Sequence, residues 1–176
     1  MIMRELSVVG IGVESRSGKP LVLLKEPTIN KVLIIWIDSA DANAIVRALQ
    51  ELEMPRPMTH DLMLNVIEDL NYNVRHVEIN DTVDGDYRAA INLECQKVSD
   101  DKSGETIVRT IDARPSDAIA LAVKARVPIY ASLEIITENA VPIELEKSED
   151  DDEFKDFIKD VKASDFFLPG QQEGDD

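Results

Sequence analysis

Three apolar runs crowd into the first 37 residues with only turn-forming stretches between them, and this density of strand signals constrains the fold more than any other feature. Leu6, Val8 and Val9 through Val13 form a β-branched run interrupted by Gly10 and Gly12, the mark of a bulge or of a close backbone approach. Ser15-Arg16-Ser17-Gly18-Lys19-Pro20 is turn chemistry, and Leu21 to Leu24 is the second run. Val32-Leu33-Ile34-Ile35-Trp36-Ile37 is short and continuous, as expected of a strand covered on both faces, so Trp36 is expected in the core. Helices follow. Asp38 and Ser39 are N-cap residues ahead of Ala42, Ile45, Val46, Leu49 and Leu52 at helical spacing. Met54-Pro55-Arg56-Pro57 stops that helix, and Thr59 caps a second whose stripe of Leu62, Met63, Val66, Ile67 and Leu70 is expected to lie on a sheet.

A meander comes next. Val77 and Ile79 alternate with polar residues, Asp84-Gly85 marks a tight turn, and Tyr87 to Cys95 alternate along a long strand. Asp100 to Gly104 read as a polar loop, after which Ile107 to Ile111 return antiparallel. Cys95 falls on the apolar side of its strand and reads as a buried, inert thiol. A third helix starts at Ser116, Pro128 to Ala131 is a short strand, and Leu133 to Glu138 a short helix. The expectation is an α+β fold over residues 1–143, a mixed but largely antiparallel sheet with helices packed on it. Residues 144–176 form an acidic extension. Its five consecutive acids, Glu149 to Glu153, precede an amphipathic stretch of Phe154, Phe157, Ile158 and Val161, and Gln171 onward reads as disordered.

Charge narrows the function classes. The formal charge is −16, of which residues 144–176 carry −9 and the preceding 143 residues −7. Such a protein repels phosphate backbones in general and is not a non-specific nucleic-acid coat. A pocket with a few arginines remains open, because screening over roughly 8–10 Å lets near charges outweigh distant ones. No apolar run approaches the ~20 residues of a membrane span, and the start lacks a signal-peptide pattern. With a single cysteine, the composition points to a soluble cytoplasmic protein without membrane contact. Glycine-rich phosphate loops, the G-x-S-x-G elbow and H-E-x-x-H are absent, and His60 and His76 are the only histidines.

Two similar phrases stand out. Arg56-Pro57-Met58-Thr59-His60-Asp61 precedes the second helix, and Arg114-Pro115-Ser116-Asp117 precedes the third. Read structurally, proline fixes each helix entry, Thr59 and Ser116 cap it, and Asp61 and Asp117 complement its positive end. Read functionally, the helix N–H groups with Thr59 and Ser116 suit a phosphate oxygen, and Arg56 and Arg114 add bidentate forks for it. First-turn carboxylates can instead hold Mg²⁺ or Mn²⁺, and neutral His60 can ligate a metal or take a proton from water.

At these motifs the sequence resembles the bifunctional nuclease (BFN) domain family, long described as a domain of unknown function. The resemblance runs through Ile35-Trp36-Ile37 with Asp41 just after, through Arg56 to Leu62, then Asp112 to Ala122, and ends near Pro128-Ile129-Tyr130. It covers roughly residues 4–143. It implies nucleases acting on RNA and DNA, with an α+β fold and a homo-oligomeric, dimeric state. Two departures matter. Asp38 stands where the family usually has glycine, which adds a carboxylate beside the expected site. Arg126 and Val127 stand where a glycine usually precedes the later Pro-Ile, which removes a favoured helix C-cap.

The leading expectation is therefore a divalent-metal-assisted nuclease. Asp41, Asp61 and Asp117 would place Mg²⁺ or Mn²⁺, Arg56 and Arg114 would hold the scissile phosphate, and His60, Asp61 and Asp117 would carry the catalytic chemistry. The alternative is a non-catalytic module that binds an anion or a partner and regulates, a reading the net charge favours.

Overall fold

The computed structural model describes residues 2–14, 17–29, 31–97 and 105–142. The acidic extension with its amphipathic stretch, and the Asp100 to Gly104 loop, lie outside the described residues. In chain order the elements are β1 (Met3–Val13), β2 (Pro20–Lys25), β3 (Lys31–Trp36), α1 (Ser39–Leu49), α2 (Thr59–Asp69) and β4 (Asn73–Val83). They continue with β5 (Asp86–Lys97), β6 (Glu105–Ala113), α3 (Pro115–Ala125), β7 (Ile129–Ser132), α4 (Leu133–Asn139) and β8 (Val141–Pro142). The strands form one mixed sheet in the order β6-β5-β4-β7-β1-β2-β3-β8. Its one parallel pair among the described strands, β4 with β7, follows from the crossover through α3. The fold is the expected α+β arrangement.

Local chemistry explains the strand geometry. The β1–β2 register shifts between Val8 and Gly10, a bulge beside the first glycine. At Gly12 an added Cβ would stand 3.1 Å from Leu21 Cδ1, so the facing strand uses the space a side chain would need. Asp84 and Gly85 both have positive φ, 54° and 89°, which is the hairpin geometry that an Asp-Gly pair accommodates. Beneath the helices, Val22, Leu24, Leu33, Ile35, Val77 and Ile79 form the sheet side of the core.

Three expectations need correction. Trp36 is 51% exposed: it ends β3 and lies in an open groove instead of the core. Four of the five residues of the α2 stripe, Leu62, Met63, Val66 and Leu70, are exposed, while its fifth member Ile67 faces inward with His60 and Leu64 at i, i+4 and i+7 spacing. The caps also sit one or two residues earlier. Met58 and Arg114 are the N-caps of α2 and α3, so Thr59 is the first helical residue and Ser116 is buried in the first turn. At α2 the aspartate serves the helix start: Asp61 Oδ2 accepts a hydrogen bond from the Met58 N–H at 2.9 Å, while at α3 Asp117 accepts from the Arg114 side chain instead.

Candidate active site

Helix α3 fixes the site. It packs against α1, α2, β4 and β5, and Ala118 through Ala122 are wholly buried, three of the five being alanines that let the neighbours approach closely. Arg114 precedes this helix in extended conformation, with φ −67° and ψ 147°, so its side chain is aimed from a rigid base.

Arg114 is the hub of a carboxylate cluster. Its Nε donates to Asp117 Oδ2 at 2.8 Å. Its Nη2 donates to Asp117 Oδ1 at 3.1 Å and to Asp41 Oδ1 at 3.3 Å. Nη1 lies 3.9 Å from Asp38 Oδ2, a distance that gives attraction without a hydrogen bond. Asp41 comes from the first turn of α1 and is buried, whereas the Arg114 side chain is 59% exposed. The hydrogen bond to Asp117, then the charges of Asp41 and Asp117, hold Arg114 above its ordinary pKa. The same hydrogen bond from Arg114 holds the Asp117 carboxyl below its usual range against the opposing effect of burial.

His60 joins from α2. Its side chain is buried, and Nε2 lies 3.4 Å from Asp117 Oδ1, so one carboxylate faces both the arginine and the imidazole. Asp61 faces elsewhere. Burial raises its pKa, but hydrogen bonds from Lys124 Nζ and the Met58 N–H outweigh that, and the net shift is downward. A pocket of about 290 Å³ lies between these helices, with Asp41, Thr59, His60, Arg114, Asp117 and Lys124 on its polar wall. Leu52, Met54 and Met58 complete it with apolar surface.

The structure thus brings Asp41, Thr59, His60, Arg114 and Asp117 to one pocket, with Asp61 held behind Lys124. Ser116 lines a neighbouring groove, and Arg56 is exposed and lines neither. Lys124 was not singled out by sequence reasoning, although it sits seven residues after Asp117 and so shares its helix face. His76 pairs with Glu78 at 2.9 Å and meets the Tyr130 ring edge-on, away from either set of lining residues. Among the described residues no three side chains of His, Cys, Asp or Glu are grouped as metal ligands, and no helix is long and apolar enough to cross a membrane.

Comparison with known proteins agrees with the motifs. Residues 22–144 match the model of the bifunctional nuclease domain. The chain belongs to the bifunctional nuclease domain family. It is 34% identical over 174 residues to an uncharacterized protein of Mycobacterium tuberculosis strain H37Rv, covering 93% of this chain and 98% of that one. It is also similar to Bifunctional nuclease 1 of Oryza sativa subsp. japonica, at 28% identity over 130 residues, 74% of this chain and 38% of the rice protein. Bifunctional nuclease 2 of the same plant is 31% identical over 116 residues, 66% of this chain and 34% of its own length. The match to the mycobacterial protein covers most of both chains, while this chain spans little more than a third of the plant proteins.

Proposed function

We propose that this bifunctional nuclease domain hydrolyses phosphodiester bonds of RNA, DNA or both in the pocket where Asp41, His60, Arg114, Asp117 and Lys124 meet. The observation that carries the reading is the double role of Asp117, which faces the phosphate-binding arginine and the candidate base together. With the Nε2 proton of His60 directed at Asp117, Nδ1 is left as an acceptor for a proton from the attacking water. Arg114 Nη1 and the remaining Lys124 N–H groups then meet the phosphoryl oxygens, where negative charge develops.

The carboxylates of the pocket suit a divalent ion in this proposal. Its lining sets Arg47, Arg114 and Lys124 against Asp41 and Asp117, a net excess of one positive charge that attracts a phosphodiester. Mg²⁺ is commonly held by one or two carboxylates plus substrate oxygens, so a preformed three-ligand cage is not required. Asp41 and Asp117 have the hard-oxygen chemistry to hold Mg²⁺ or Mn²⁺, and their oxygens already converge on one guanidinium nitrogen. Bound there, the ion supplies charge neutralisation on the phosphate. The test is cleavage of fluorescent single-stranded RNA and DNA by the purified chain with Mg²⁺, Mn²⁺ or EDTA. Cleavage with either metal and its loss in EDTA is expected. Absence of cleavage under every condition overturns the nuclease reading, and cleavage that survives EDTA removes the ion. A second reading, an anion- or partner-binding regulatory module, draws on the satisfied state of Arg114, and it leads if both substrates stay intact.

A further inference from the structure

The larger groove beside this pocket has a composition that the hydrolytic reading leaves unused. It encloses about 570 Å³ and is lined by Trp36, Tyr87, Lys19, Arg114, Asp38 and Asp86 among others. Trp36 is 51% exposed there, the end of a strand whose preceding residue, Ile35, is 2% exposed, so the indole is presented from a rigid support. Half of the tryptophan surface is open to the groove, which leaves an indole face available for a ligand to stack on. Acidic Asp38, Asp41 and Asp86 outnumber basic Lys19 and Arg114 in the lining, so the groove is not a trough for phosphate. Its ligand should offer an uncharged planar face. Arg114 and Asp41 line both this groove and the His60 pocket, so a ligand in one lies next to the other.

We propose that the groove receives an unpaired nucleobase stacked on Trp36, next to the phosphate held at Arg114, which makes single-stranded nucleic acid the substrate class. This rests on the nuclease reading above and adds to it the form of the substrate. Every base has a π-face, so stacking is tolerant of sequence, but within a duplex that face is covered by its neighbours. The indole provides the selection for unpaired strands, and Arg114 sets the position of the adjoining phosphate.

Trp36 is the only tryptophan of the chain, which gives the proposal its own signal. The full-length protein is titrated in EDTA with a single-stranded oligonucleotide and with the same sequence as a duplex, and the nucleic acid is checked for integrity afterwards. Saturable quenching of tryptophan fluorescence by the single strand alone is expected. Trp36→Ala should weaken binding of a labelled single strand about five- to a hundredfold, from the range of stacking strengths per base. Trp36→Phe, which keeps an aromatic face and guards against a folding defect, should retain most of the affinity. Equal affinity in Trp36→Ala, or equal quenching by duplex, overturns the proposal. Quenching without cleavage in metal would leave the groove standing and end the nuclease reading. Cleavage by Trp36→Ala at unchanged KM would do the reverse.

Discussion

At the scale of single residues, the two first-turn aspartates look equivalent in sequence and differ in surroundings. Asp117 links Arg114 to His60, whereas Asp61 links Lys124 to the start of α2. Asp117→Asn is therefore expected to lower cleavage at least tenfold, by roughly 1.4 kcal/mol or more of lost transition-state stabilisation. Asp61→Asn should cost mainly stability, on the order of 0.5–2 kcal/mol through the weakened helix start. Comparing kcat and melting temperature of both variants checks this; equal activity losses would show that Asp61 also acts in the chemistry. Both carboxyls have pKa values lowered from 3.8 in the folded protein, Asp117 chiefly by Arg114 and Asp61 by Lys124 against its burial. Depressed carboxyls add stability that is complete well above pH 3.8 and is lost as pH falls below it through the folded values. Denaturant midpoints should accordingly drop between about pH 5 and pH 2, and less steeply in Asp117→Asn. Arg126 makes a third point. It adopts φ 55°, ψ 43° at the end of α3, the left-handed geometry that glycine occupies most easily. Its ion pair with Glu51 is exposed and contributes little. Arg126→Gly is expected to change stability by about 0 to +1 kcal/mol, raising the melting temperature by up to about 4 °C.

At the scale of elements, α3 shows how tightly the site depends on packing. Ala120 is wholly buried within a helix that touches two helices and two strands. Ala120→Leu adds volume where none is free, so a loss of about 1–3 kcal/mol is expected, read as a lower denaturant midpoint at unchanged m. A variant as stable as the parent would show that the helical layer yields. The same helix explains what the sequence could and could not disclose. The Arg-Pro phrases marked both helix starts because proline and first-turn acids are local signals. The convergence of Asp41, His60 and Asp117 was not local: it depends on the packing of α1 and α2 against α3, which no spacing in the chain records. Periodicity also identified α2 but placed its inward face only in part. Of the expected stripe, Ile67 packs on the core with Leu64 and near buried His60, whereas Leu62, Met63, Val66 and Leu70 are exposed. Hydropathy reports that a face is apolar and leaves open whether its cover is the same chain. Trp36 failed for a related reason, since a continuous apolar run does not show where a strand leaves the sheet's cover.

At the scale of the whole molecule, that outward face decides how the domain should assemble. Leu49, Leu52, Met54, Met58, Leu62, Met63, Val66 and Leu70 are all at least 37% exposed and fall within one stretch spanning the end of α1 and all of α2. Exposed apolar side chains concentrated in this way suit an interaction surface. Family resemblance implies a dimer, and a second copy of the chain is the occupant we expect on this face. Leu52, Met54 and Met58 also form the apolar wall of the His60 pocket, so a partner seated on the face would shield the pocket from water and strengthen its electrostatics. Light scattering should therefore give twice the 19.7 kDa of one chain. Leu62→Glu combined with Leu70→Glu places like charges on both sides of such an interface and should shift the mass to that of the monomer, with an unchanged circular dichroism spectrum. Cleavage by this monomeric variant should fall with it, because the pocket's apolar wall is then open to solvent. A wild-type mass of 19.7 kDa at micromolar concentration would end the dimer. A charged variant that stays dimeric would instead move the interface to another face.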